Sequence, residues 1–151
     1  MKRRQFICST VAGFVVAATK PVLASQAEMI IYKDPNCGCC HAWAEAMIDA
    51  DFAVTVRDTD DLTSIKQRYA IPVEMQGCHT ATVEPYYFEG HVQLAAVEDV
   101  LSKRPDIAGL AVPGMPSGSL GMGNDPNASY DLFSIPKDSG RPSVIMSVRP
   151  V

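Results

Sequence analysis

Apolar and polar positions along the chain follow two alternating periods. Met29-Ile30-Ile31-Tyr32 is an unbroken apolar run and predicts a buried strand. Asp34-Pro35-Asn36 breaks it, and a helix is expected to begin near Cys37 or Gly38. Trp43, Ala46, Met47 and Ala50 recur at helical spacing and give that helix a core face. Phe52 to Val56 mixes apolar and β-branched residues and predicts a second strand. Asp60 or Asp61 is placed to cap a second helix, with Leu62, Ile65 and Tyr69 on one face and Pro72 ending it. Thr80–Val83 and Tyr86–Phe88 read as strands, and Glu89-Gly90 as a turn. Leu94, Val97, Val100 and Leu101 mark a third helix that stops at Pro105. From Pro105 to Ser129, prolines and glycines interrupt any period, so this stretch reads as one long loop. Tyr130–Ile135 and Val144–Val148 then read as closing strands around Lys137-Asp138-Ser139-Gly140.

Strands interleaved with helices describe an α/β sandwich. A CxxC between the first strand and first helix, here Cys37 and Cys40, is the thioredoxin-like signature. The expected fold is an α/β, thioredoxin-like sandwich with a long Gly/Pro/Met loop and a C-terminal β-hairpin.

The first residues follow a different logic. Lys2, Arg3 and Arg4 precede a stretch from Phe6 to Ala18 that is apolar or small, and Val22-Leu23-Ala24 suits cleavage. Arg3-Arg4-Gln5-Phe6-Ile7 resembles a twin-arginine export signal, a route that Lys20 also fits; an ordinary secretory signal is the alternative. Residues 1–24 are therefore expected to be a cleavable export signal, and residues 25–151 one exported domain.

A chain of 151 residues with 47% apolar and 20% charged content excludes wholesale disorder. Cleavage after Ala24 removes four basic residues (Lys2, Arg3, Arg4, Lys20) and no acidic one. It leaves 9 basic against 17 acidic, a net charge of −8. Such a domain has no electrostatic footprint for nucleic acid or for an anionic membrane surface, and it attracts cations. Cleavage also removes Cys8 and leaves Cys37, Cys39, Cys40 and Cys78.

Cys37-Gly38-Cys39-Cys40-His41 carries most of the chemistry. Cysteines at a helix start are stabilised as thiolates by unpaired N–H groups and the helix dipole. The thiolate is the attacking species in disulfide exchange and also the form that binds metal. Cys39 separates the two uses: a third thiol blunts a clean two-electron exchange, whereas a soft ion gains from another sulfur. Cys78, on the turn before the third strand, is expected to face the CxxC and bring four sulfurs together. Met115 and Met122 add thioethers on the loop, and soft thiolate and thioether donors together select Cu(I). Cys39 and Cys40 diverge by about 100° on a helix, which favours two or more sulfur-bridged ions over one tetrahedral ion. His79, beside Cys78, is the best placed histidine; His41 is expected to face solvent, and His91 to satisfy backbone groups. Two other readings stay open: a thiol-disulfide oxidoreductase with Cys37 as nucleophile and Cys40 as resolving thiol, and a module stapled by Cys37–Cys40 and Cys39–Cys78 disulfides.

The chain resembles the CopG-type periplasmic copper-resistance family, thioredoxin-like proteins unrelated to the ribbon-helix-helix repressor of that name. The resemblance rests on Cys37-Gly38-Cys39-Cys40 with Trp43, on Cys78-His79-Thr80-Ala81 and on Glu89-Gly90-His91-Val92. Arg104-Pro105, the run from Gly109 to Pro116 and Gly118-Ser119-Leu120-Gly121-Met122 extend it. It implies a periplasmic location, copper as the bound metal, copper ions and another periplasmic copper protein as partners, and a role in interconverting Cu(I) and Cu(II). It points to Cys37, Cys39, Cys40 and Cys78 as ligands, and to Met115 and Met122 as weaker ones. Leu120 stands where the family usually has proline, and Glu84-Pro85-Tyr86 replaces a Gly-Tyr pairing. Neither departure touches a sulfur.

Overall fold

An apolar run without alternation is stable as a strand when both its faces are covered. β1 (Met29–Lys33) meets that condition at the centre of the N-terminal half, parallel to β2 (Val54–Asp58) and antiparallel to β3 (His79–Val83). This computed structural model describes residues 28–138 and 140–150. The expected export signal at 1–24 and Ser139 of the expected turn lie outside the described residues.

β4 (Tyr86–Gly90) pairs antiparallel with β3, and β5 (Gly109–Val112) runs parallel to β4. β6 (Tyr130–Ile135) and β7 (Ser143–Val148) close the sheet as the C-terminal hairpin, giving the order β2-β1-β3-β4-β5-β6-β7. Among the described residues three α-helices connect the strands: α1 (Gly38–Asp49), α2 (Leu62–Arg68) and α3 (Leu94–Lys103). The α/β class expected from the sequence is the class observed.

Period-two alternation divides the sheet into two apolar faces. On one, Trp43 and Met47 of α1 and Val97 and Val100 of α3 pack with Ile31, Ala81, Phe88 and Leu110. On the other, Ile71 and Met75 pack with Tyr87, Ala111 and Ile135. Burying a side chain such as Phe88 or Met47 contributes about 1.5–3 kcal/mol.

Four details differ from the sequence pattern. The stretch from Pro105 to Ser129 is not one loop, because Gly109–Val112 is a fully buried inner strand. Buried on both faces, it has no alternation to reveal it. Glu89-Gly90 is not a turn but the end of β4, and the reversal lies at Glu84-Pro85. β2 begins at Val54 rather than Phe52. The inner stripe of α1 is Cys40, Trp43, Ala44 and Met47, with Ala46 and Ala50 only half-buried.

Candidate metal centre

The site sits where β1 hands the chain to α1. The Asp34 carboxylate accepts from the Asn36 N–H at 2.7 Å and its carbonyl from the Cys37 N–H at 3.0 Å, which turns the chain out of the sheet. Cys37 then caps α1 in extended geometry, its Sγ accepting from the Cys40 N–H at 3.3 Å. Cys37 and Cys40 are joined as a disulfide, while Cys39 and Cys78 are free thiols.

Sheet register brings the distant cysteine into place. Lys33 at the end of β1 pairs with His79 at the start of β3, so Cys78 falls beside the β1–α1 junction. A side chain at Gly77 is impossible here: a Cβ would stand 2.7 Å from the Gly90 Cα. Cys39 Sγ lies 3.5 Å from Cys37 Sγ and 4.0 Å from Cys78 Sγ. All four sulfurs lie within 4.8 Å of one another, with Cys78 facing the CxxC from the turn before the third strand.

A second donor set shares Cys78. Its Sγ is 3.5 Å from His79 Nδ1 and 3.0 Å from His91 Nε2, and the three donor atoms lie within 4.8 Å of one another. His79 is fully buried, its ring 4.6 Å from that of Trp43, and its Nε2 has no hydrogen-bond partner among the described residues. His91 faces the Leu120 carbonyl through Nδ1 at 2.6 Å. A carbonyl only accepts, so Nδ1 carries the proton and Nε2 turns a lone pair toward Cys78. The sequence reading gave His91 its backbone bond but missed its approach to sulfur, because ending β4 at Phe88 hid the strand that aims the histidine.

Burial, reinforced by the neighbouring Cys39 sulfur, pushes the Cys78 thiol up to about 12, against a smaller opposing pull from Lys66. Burial, with the nearby His91 and Lys66, holds His79 down at about 3. His91 is likewise lowered by burial, opposed by its bond to Leu120. Without metal, burial favours the neutral forms of the Cys78 thiol and of both imidazoles.

The loop after β5 covers the helix start. Gly121, at φ +88°, lies so close that a Cβ there would come within 2.8 Å of the Cys39 carbonyl and 3.0 Å of the Trp43 nitrogen. Met122, next to it, is half-buried, whereas Met115 is 58% exposed. Leu120 contributes a backbone oxygen, so its departure from the family proline leaves the His91 contact intact. His41 faces solvent as expected and pairs with Glu45 at 3.2 Å.

Two thiols, a reducible disulfide and two neutral imidazoles, with no carboxylate among them, make a donor set for a soft or borderline ion. The family described as protein of unknown function DUF411 matches residues 75–122, which hold Cys78, His79, His91 and the covering loop. Two solved structures, described as forms 1 and 2 of a copper resistance protein copG, match with 34% identity and a TM-score of 0.74. They cover 81% and 80% of this chain and 97% of their own. The chain belongs to the CopG copper-resistance family. Among curated proteins nothing matches. Among the described residues no helix is long and apolar enough to cross a membrane.

Proposed function

We propose that this chain is a periplasmic copper-resistance protein that takes copper ions as cargo, binding Cu(I) through Cys37, Cys39, Cys40 and Cys78. Residues 1–24 serve as the export signal and residues 25–151 as the metal-binding domain. His79 is a further donor, and Met122 and Met115 are thioethers that the loop offers at the rim. Four sulfurs within 4.8 Å of one another at a helix start carry this reading. The copper resistance relatives support the choice of metal.

The Cys37–Cys40 pair, seen here as a disulfide, is an electron store in its reduced dithiol form. Two Cu(II) ions each take one electron from the Cys37 and Cys40 thiolates, whose sulfurs close the disulfide, leaving two Cu(I). An external dithiol reopens it, giving up two electrons and two protons and becoming a disulfide itself. The same bond favours a second reading, a thiol-disulfide oxidoreductase in which Cys37 attacks and Cys40 resolves.

The deciding experiment is metal analysis with free-thiol counting on protein purified anaerobically and reduced. Four reactive thiols that disappear as Cu(I) is taken up support copper binding. Recovery of about one zinc with no copper uptake overturns it.

A further inference from the structure

Behind the cysteines lies a buried ion pair that the copper chemistry does not use. Glu89 is fully buried and Lys66, from α2, is 6% exposed, yet they form a salt bridge. Desolvating such a pair costs several kcal/mol per ion, so an apolar pair of similar size would serve stability as well or better. What the pair holds is specific. Glu89 Oε1 accepts from the Gly77 N–H at 2.7 Å as well as from Lys66, and Oε2 accepts from the Thr80 hydroxyl at 2.6 Å. Lys66 Nζ also reaches Thr80 Oγ1 at 3.3 Å. Gly77 and Thr80 are the residues on either side of Cys78-His79. Glu89 itself lies two residues before His91 on β4, directly across from Thr80.

We infer that the Lys66–Glu89 pair is a positioning device for the metal centre, clamping both flanks of Cys78-His79 so that the Cys78 sulfur meets Cys39 and His91. This rests on the copper reading above. The clamp works from the opposite face of the sheet, since Thr80 and Glu89 alternate with His79 and Phe88, and so it never competes for the ion.

The test uses the reduced full chain and the paired replacement Lys66→Met with Glu89→Leu, made with and without Cys78→Ser. With Cys78 present, the double replacement is expected to keep the melting temperature but weaken Cu(I) retention against a chromophoric chelator by about tenfold to a hundredfold. In the Cys78→Ser background it is expected to cause no further loss, because the pair acts through that sulfur. In metal-free protein, alkylation of Cys78 accelerates while that of Cys39 does not. Thr80→Val weakens retention and Thr80→Ser restores it, and these two decide the matter if the double variant fails to fold. Equal losses in both backgrounds, or unchanged retention and unchanged Cys78 alkylation, overturn the proposal. A wild-type chain that takes up no Cu(I) sinks the copper reading instead, and the alkylation comparison then still judges the clamp.

Discussion

His91 Nε2 lies 3.0 Å from Cys78 Sγ, on a ring whose other nitrogen is bonded to the Leu120 carbonyl at 2.6 Å. The covering loop thereby fixes the tautomer that points a lone pair at the sulfur. In the metal-free state this nitrogen accepts a hydrogen bond from the Cys78 thiol, which keeps its proton; with copper present it is free to bind or support the ion. His91→Ala is expected to weaken Cu(I) retention by about tenfold to a hundredfold, as loss of an orienting partner does at metal sites. Chelator competition on reduced protein measures it. Retention equal to wild type would reduce His91 to a loop anchor.

The same loop makes Gly121→Ala a sensitive change. Its φ of +88° is strained for any side chain, and the new Cβ would meet backbone atoms of Cys39 and Trp43, which cannot swing aside. The loop is expected to lift, breaking the Leu120–His91 bond while leaving the sheet intact. Alkylation of Cys39 should accelerate with little change in melting temperature. A slow, wild-type rate would mean that the loop does not shield the sulfurs.

The sulfur cluster was legible because its logic is local. CxCC at a strand-to-helix junction and a cysteine before a β-rich run are short patterns, and the thiol chemistry narrows their use. The supporting parts were hidden by two physical effects. Gly109–Val112 is buried on both faces and shows no period, so the strand dissolved into the loop around it. Lys66 is the most buried residue of α2, although a polarity pattern puts lysine outside. Its burial depends on Glu89, 23 residues away in sequence. Pairwise compensation of that kind leaves no periodic trace.

Acid sensitivity follows from His79. Burial holds its folded value near 3, against about 6.5 when unfolded, so the unfolded chain binds a proton first as pH falls. Its contribution to stability is complete above pH 6.5 and is lost progressively toward pH 3, at up to ~1.4 kcal/mol per pH unit. His91 is lowered too and acts in the same direction, whereas burial raises Glu89, which acts in the opposite one. Lys66, paired with Glu89 on the other face of the sheet, adds its positive charge to the forces that lower His79. Urea unfolding between pH 7 and 5 should therefore show a shallower pH slope for His79→Gln than for wild type. Identical slopes would mean that the His79 ring is not held neutral.

Cys39 decides between the two uses of the helix start. In disulfide exchange Cys37 and Cys40 suffice, and Cys39, 3.5 Å from Cys37 and outside the bridge, is a bystander. In copper binding it is the sulfur that connects the CxxC to Cys78, 4.0 Å away on the other arm of the site. Cys39→Ser is thus expected to leave reduction of a small test disulfide near the wild-type rate. Its Cu(I) retention should fall by more than the roughly hundredfold that loss of a supporting hydrogen bond causes. Both are measured on the same reduced preparation, so misfolding would show as joint loss. The opposite outcome, copper kept and exchange lost, would assign the site to disulfide chemistry and make the convergence of Cys78 on Cys39 a matter of packing.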